Sequence, residues 1–313
     1  MNALLFPGQG SQSVKMGNEF FQSFDIVKEI FKKSDQILNY PISKIILDGP
    51  EEKLQLTQNA QPAILMVSFS IFKVFKNEFG YDFKNFKCFA GHSLGEYSAL
   101  VCAGSIEFDD AIYLLHERGK AMQAAVPIGE GKMIAVLGAE IELVKKLINE
   151  TNFAEGVCEI ANDNANGQVI VSGDKESIKI FENILKEQKI KAIPLKVSAP
   201  FHCSMMKPAA EIMKEKIEKT KFNNPSFQII NNVNAEAVNK SEVIKDLLVK
   251  QIYSPVKWRE SIININRLGV KNFVELGPGK ALTGMVKRTV KDVNCYTINS
   301  VSDIKNVQNE LKE

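Results

Sequence analysis

Histidine, tryptophan and arginine are scarce in this 313-residue chain, which carries three histidines, one tryptophan and only four arginines among 39 basic residues. With so few imidazoles, any histidine-dependent chemistry is confined to His92, His116 or His202. Long apolar runs are also lacking. None reaches the roughly 18 residues a membrane-spanning helix needs, and residues 1–6 lead into a strand-like segment rather than a cleavable signal. The five cysteines, Cys88, Cys102, Cys158, Cys203 and Cys295, are widely spaced and include no C-x-x-C pair. That spacing excludes a disulfide framework and a cysteine zinc site, and it fits a reducing compartment. No charge sign dominates: Lys+Arg of 39 against Asp+Glu of 37 gives +2, interspersed along the chain, so there is no basic stripe to grip a phosphate backbone. The chain is therefore expected in the cytoplasm, or in an organelle interior if a presequence has been removed, with no nucleic-acid or membrane partner.

What is present is ordinary globular composition, 45% hydrophobic and 24% charged, long enough for one large core and a smaller unit. Ala3 to Phe6 reads as a strand closed by Pro7-Gly8-Gln9-Gly10, and Phe20, Phe24, Val27 and Phe31 recur at helical spacing. Pro62 fits the first turn of a second helix that is apolar nearly all round to Phe75. Lys87 to Ala90 is a short strand, followed by a helix from Glu96 and another, capped by Asp109 or Asp110, running to about Ala125. Alternation of this kind predicts a parallel sheet covered by helices.

From Pro127 the order becomes strand 133–137, helix 141–149, strand 157–161, strand 168–171, helix 175–188, strand 190–195. This is βαββαβ, the ferredoxin-like arrangement, with 162–167 (Asn-Asp-Asn-Ala-Asn-Gly) as the turn between its middle strands. The expected division is a discontinuous large α/β domain, 1–126 and 199–313, with a ferredoxin-like small domain inserted at 127–198.

The sharpest chemical signal is Gly91-x-Ser93-x-Gly95 between a strand and a helix. Small residues on either side let the chain turn tightly and project Ser93 at the sheet's carboxyl edge, beside the amides of the next helix. A plain Gly-bounded turn with an exposed serine is the competing reading. The serine needs a general base. His92 adjoins it and should leave the turn in another direction, and His116 lies mid-helix; both read as packing or surface residues. His202, in a Pro-fixed loop after the small domain, remains as base. Arg118 shares the apolar stripe of its helix with Ala111, Leu115 and Met122, so its guanidinium needs a partner. Either a protein carboxylate in an ion pair or a substrate carboxylate held bidentately meets that need. The loop at Pro7–Gln12 could bring backbone amides to a ligand, but no Gly-Lys-Ser/Thr makes it a phosphate loop.

Taken together, Phe6-Pro-Gly-Gln-Gly-Ser-Gln12, Gly91-His-Ser-Leu-Gly-Glu-Tyr97, Arg118, Ser198-Ala-Pro-Phe-His202 and Glu275-Leu-Gly-Pro-Gly-Lys-Ala-Leu-Thr283 resemble the malonyl-CoA:acyl carrier protein transacylases of fatty acid synthesis. The motifs arrive in that family's order across almost the whole chain. The resemblance implies an α/β-hydrolase-like large domain with a parallel sheet and transfer of malonyl from malonyl-CoA to the phosphopantetheine thiol of acyl carrier protein. It makes Ser93 the nucleophile, His202 the base and Arg118 the partner of the malonate carboxylate. It also makes the backbone amides of Gln9 and Leu94 the oxyanion hole and the backbone carbonyl of Gln251 the group that orients the histidine. Asn162 would line the cleft, and Phe201 would favour malonyl over branched acyl groups. No metal or other cofactor is implied, the thioesters being substrates, and a monomer is expected. Alternatives are a serine esterase or thioesterase, a polyketide-type acyltransferase with another acyl or carrier preference, and a catalytically silent binding module. An esterase of this type ordinarily carries its histidine near the C-terminus, and no histidine follows His202. Lys287, Arg288, Lys191 and Lys196 are candidates by position for docking an acidic carrier.

Overall fold

The computed structural model describes residues 1–197 and 199–311. Ser198, which opens the motif ending at His202 and closes the expected small domain, lies outside them. In chain order the elements are β1 (Asn2–Phe6), α1 (Asn18–Ser23), α2 (Asp25–Leu38), α3 (Ile42–Asp48), α4 (Glu51–Gln55), α5 (Thr57–Asn77), β2 (Phe86–Gly91), α6 (Gly95–Cys102) and α7 (Phe108–Ala124). There follow β3 (Gly131–Leu137), α8 (Ile141–Asn149), β4 (Cys158–Ala165), β5 (Gln168–Asp174), α9 (Lys175–Glu187) and β6 (Lys191–Pro194). The chain ends with α10 (Lys207–Lys219), β7 (Gln228–Ile230), β8 (Ala237–Val238), α11 (Ser241–Gln251), α12 (Trp258–Arg267), β9 (Asn272–Leu276), α13 (Ala281–Thr289), β10 (Asn294–Ile298) and α14 (Val301–Glu310). Among the described residues, no helix is long and apolar enough to cross a membrane.

Two sheets organise these elements. The larger has strand order β10-β9-β1-β2-β7-β8, parallel throughout except for the short antiparallel β8 at its edge. Because β1 and β2 are adjacent and parallel, the loops leaving their carboxyl ends, Pro7–Gln12 and Gly91–Leu94, meet at one edge, where open α/β sheets bind ligands. The smaller sheet has order β4-β5-β3-β6, antiparallel at every junction. That is the split βαββαβ order expected from the sequence. Ile141 and Val144 of α8 and Ile178, Phe181 and Leu185 of α9 are buried in its separate core with Ile134, Val136, Val169 and Val171. Asp174 caps α9 by accepting from the Ser177 amide at 2.9 Å.

Several expectations are corrected. The phenylalanine periodicity at 20–31 is split between α1 and α2 by extended Phe24, which keeps Phe20 and Phe31 in the core while turning the chain. Pro62 lies inside α5, not in its first turn. A proline has no N–H to give the carbonyl four residues back, and that carbonyl, of Gln58, instead accepts from His116 Nδ1 at 2.9 Å. Asp109 and Asp110 sit in the first turn of α7 rather than capping it, the N-cap being extended Glu107; there they oppose the positive end of the helix dipole. Residues 162–165 continue β4, so the turn shrinks to Asn166-Gly167, with Gly167 in the left-handed region at φ 69°.

The extended β4 ties the small sheet to Val256 and to α12, elements that lie between strands of the large sheet in the chain. The Val256 amide donates to Ala161 O at 2.8 Å, and the Asp163 amide donates to Val256 O at 3.0 Å. Arg259 Nε donates to both oxygens of buried Asp163, at 2.9 and 3.0 Å.

Candidate active site

Ser93 sits on a left-handed turn, φ 53°, an unfavourable conformation for a residue with a side chain. The flanking glycines make that turn possible by steric necessity. A Cβ on Gly91 would lie 1.9 Å from the Gly95 backbone, and one on Gly95 would lie 2.3 Å from Phe6 O. The Ser93 amide is held by Asn232 Oδ1 at 2.7 Å, and Asn232 Nδ2 donates to Gly91 O at 2.8 Å. This is the strand-turn-helix elbow read from the sequence, braced from the loop after β7.

His202, also left-handed at φ 59°, reaches Ser93 Oγ through Nε2 at 2.8 Å. Its Nδ1 lies 2.8 Å from Gln251 O. A carbonyl only accepts, so Nδ1 carries the proton and Nε2 is the acceptor for the serine hydroxyl. Burial, followed by the positive charge of Arg118, pulls the His202 pKa down to about 3. The imidazole is thus a neutral base at physiological pH.

Arg118 is 1% exposed. Its Nη1 donates to Gln61 Oε1 at 2.7 Å, and its Nη2 to Gln251 Oε1 at 2.9 Å and Ser93 Oγ at 3.2 Å. All three partners are neutral, and among the described residues no carboxylate lies within ion-pair distance of it, while Nε has no partner. Of the two readings of the sequence, the protein ion pair is therefore not what the fold builds.

A cavity of about 440 Å³ opens onto these groups, lined by Gln9, Ser93, Arg118, Asn162, Phe201 and His202 among others. Among the described residues, the backbone amides of Gln9 and Leu94 have no hydrogen-bond acceptor, and Leu94 begins the turn into α6. Free amides beside the Ser93 hydroxyl, one from a loop and one at a helix start, suit a developing oxyanion. His92 does leave the elbow in another direction, with Nε2 2.8 Å from Asn164 Oδ1. His116 bonds Gln58 O, away from the nucleophile. Lys196 lines the cavity, and Arg288 is engaged with the β4–β5 hairpin, its side chain on Gln168 Oε1 and its carbonyl accepting from Asn166 Nδ2. No group of three or more His, Cys, Asp or Glu able to hold a metal occurs among the described residues.

Sequence reasoning missed Gln61, Asn232, Glu96 and the side chain of Gln251. Glu96 is 2% exposed, and burial pushes its carboxyl up to about 7. The available signal was a glutamate immediately after the elbow, at the start of an otherwise apolar helix.

Comparison with known proteins agrees with this geometry. The sequence matches the acyl transferase domain family over residues 3–311. It is 40% identical to the malonyl CoA-acyl carrier protein transacylase of Bacillus subtilis (strain 168), across 99% of this chain and 97% of that one. With the protein of the same name from Escherichia coli (strain K12) it shares 41% identity over 96% of each. The fold superposes on an acyl-carrier-protein-S-malonyltransferase from Bartonella henselae with a TM-score of 0.96 at 38% identity, covering 100% of this chain and 99% of that one. It likewise matches a malonyl-transacylase solved in complex with a type II PKS acyl-carrier protein, with a TM-score of 0.94 at 37% identity and 99% coverage of both chains.

Proposed function

We propose, from the premise that the chain belongs to the acyl transferase domain family and within it to the malonyl-CoA:acyl carrier protein transacylases, that Ser93 and His202 transfer malonyl groups by a two-step covalent mechanism. The protein is an acyltransferase of fatty acid synthesis with acyl carrier protein as its partner. In the proposed first step, His202 Nε2 takes the Ser93 proton while Oγ attacks the thioester carbonyl of malonyl-CoA. The Gln9 and Leu94 amides hold the oxyanion. As the intermediate collapses, the C–S bond breaks and the coenzyme A thiolate takes the proton from His202. A malonyl-serine ester remains. In the second step the carrier's phosphopantetheine thiol gives its proton to His202 and attacks the ester, which returns Ser93 to its hydroxyl form. The Gln251 carbonyl holds His202 in the required tautomer throughout, where a triad would use a carboxylate.

One observation carries the choice of acyl group. Arg118 is a buried cation with only neutral partners and an unpaired Nε, 3.2 Å from the nucleophile through Nη2. A malonyl tail supplies the missing carboxylate, whereas an acetyl tail leaves the guanidinium as it is, so discrimination of about 2–5 kcal/mol is available from this one contact. Phe201 and Asn162 line the cavity, and Phe201 limits branching. The reading extends to a large domain of residues 1–126 and 199–313 with a small domain at 127–198, supported by the two separate sheets, and to a cofactor-free cytoplasmic monomer. It is tested by offering malonyl-, methylmalonyl- and acetyl-CoA in turn and measuring acyl transfer to a fatty acid synthesis carrier protein. Malonyl should be transferred fastest; a hydrolysis rate exceeding transfer would favour a thioesterase instead.

A further inference from the structure

The Glu96 side chain bonds neither Ser93 Oγ nor His202, although its backbone amide donates to Ser93 O at 3.0 Å, and it is buried at 2% exposure. Its Oε2 accepts from Gln251 Nε2 at 2.8 Å and from the Asn232 amide at 3.0 Å. Gln251 Nε2 faces two further oxygens, Ser93 O at 3.1 Å and Asn232 Oδ1 at 3.3 Å. Three acceptors around one end of the amide identify that end as the NH₂ group. The other end, Oε1, is thereby presented to Arg118 Nη2 at 2.9 Å. Reversed, the amide would set oxygen against three oxygens and NH₂ against a guanidinium. The bond to Glu96 is the shortest of the three that hold this orientation.

We propose that Glu96 is a positioning residue for acyl selection, fixing the Gln251 side chain so that its Oε1 holds the Arg118 guanidinium in register with the acyl tail. This rests on the reading of Arg118 as the malonate partner and adds a residue to it. Gln251 then serves two functions through separate atoms: its backbone carbonyl orients the base, and its side chain carries the influence of Glu96 to the cation. The competing role is structural, an acid that merely braces the Asn232 turn. That turn keeps other supports without Glu96, since Asn232 still bonds the Ser93 amide and Gly91 O through its side chain and accepts from the Lys257 amide at 2.9 Å. Loss of Glu96 should therefore reach Arg118 more than Ser93.

The test compares kcat/KM for Ser93 acylation by malonyl-CoA and acetyl-CoA, alongside thermal unfolding, in wild type, Glu96→Ala, Glu96→Leu, Glu96→Gln, Gln251→Met and Glu96→Ala/Gln251→Met. Glu96→Ala should lower the malonyl value on the order of tenfold, the size expected for one hydrogen bond involving a charged group. The acetyl value should stay within about twofold. Glu96→Gln still offers an acceptor oxygen of the same reach and should restore malonyl preference. Gln251→Met should lose that preference by itself, and adding Glu96→Ala should then change the ratio by less than about twofold, because the connecting amide is gone. Equal losses for both donors, or an undiminished effect of Glu96→Ala in the Gln251→Met background, would overturn the proposal. So would failure of both Glu96→Ala and Glu96→Leu to fold while Glu96→Gln behaves normally, since the acceptor oxygen at this position would then serve the fold. Arg118→Ala is the control: a wild type without malonyl preference, or a preference that survives Arg118→Ala, would sink the functional reading itself. A preference that disappears in Arg118→Ala but survives Glu96→Ala would sink only the present inference.

Discussion

Arg118 Nη2 donates to Ser93 Oγ at 3.2 Å, so the cation proposed to hold the acyl tail also touches the proposed nucleophile. Removing it deletes two things at once, a carboxylate partner and a donor to the attacking oxygen. Arg118→Ala should cut malonyl transfer by a factor on the order of 10², at about 1.4 kcal/mol per tenfold, while acetyl transfer falls far less or improves. Steady-state kinetics with both donors decide it; equal losses would mean that the contact with Ser93, not the acyl tail, is what Arg118 supplies.

A second prediction concerns pH. The His202 pKa of about 3 lies below the ordinary 6.5, so its imidazole, the proposed base, remains neutral through mild acid. The kcat/KM profile for malonyl-CoA should show no His202 limb between pH 6 and 7. Stability follows the same linkage. Because the folded pKa is depressed, the unfolded chain binds the proton more readily, and the contribution is full above pH 6.5 and lost as pH falls from there toward 3. Between pH 7 and pH 5 wild type should lose about 2 kcal/mol more unfolding free energy than His202→Gln, at about 1.4 kcal/mol per pH unit below 6.5. Denaturant titrations giving parallel losses for the two proteins would place the imidazole at its ordinary pKa.

His116 is predicted to matter for the fold and not for the chemistry. His116→Ala leaves the Gln58 carbonyl, already deprived of an amide by Pro62, without its imidazole donor. Gln58 is half-buried, and a carbonyl left unsatisfied there costs up to about 1–3 kcal/mol. Thermal unfolding should register that loss while the malonyl-CoA half-reaction is nearly unchanged; a stability equal to wild type would contradict the role given to this bond.

Carrier docking gives a fourth prediction. Arg288 is tied to the β4–β5 hairpin, so its reversal would perturb the cleft as well as any docking surface. Lys287, exposed beside it, and Lys191, exposed on β6, are the cleaner probes, since Lys196 lines the cavity. Reversing both to Glu should slow transfer to an acidic carrier, with a defect that shrinks as salt rises. The coenzyme A half-reaction should be spared, and a salt-independent defect would place these lysines outside the docking surface.

The elbow, the histidine beside Ser93 and the buried arginine were legible in the sequence because each leaves a local or countable trace: a glycine spacing, a supply of three histidines, a charge on an apolar stripe. The polar side chains that align them were not, although the resemblance did name the Gln251 carbonyl. Gln251, Asn232 and Glu96 come from α11, the loop after β7 and the start of α6, and nothing in their neighbourhoods signals that they meet. Residues 162–165 were misread for a different reason. Asn and Asp favour turns when their side chains bond their own backbone, but here Asp163 is occupied by Arg259 and Asn164 by His92, and the backbone pairs with β5 and Val256. Tertiary partners overrode local composition. The same holds for Pro62, whose cost inside a helix is offset by a histidine from α7.

The account stands on a malonyl ester at one residue. Brief exposure to malonyl-CoA without carrier, followed by intact-mass and peptide mass spectrometry, should show a single malonyl adduct on the peptide containing Ser93. The adduct should be strongly reduced in His202→Ala and discharged when holo carrier protein is added. An adduct on any other residue, or undiminished acylation in His202→Ala, would contradict the assignment of nucleophile and base.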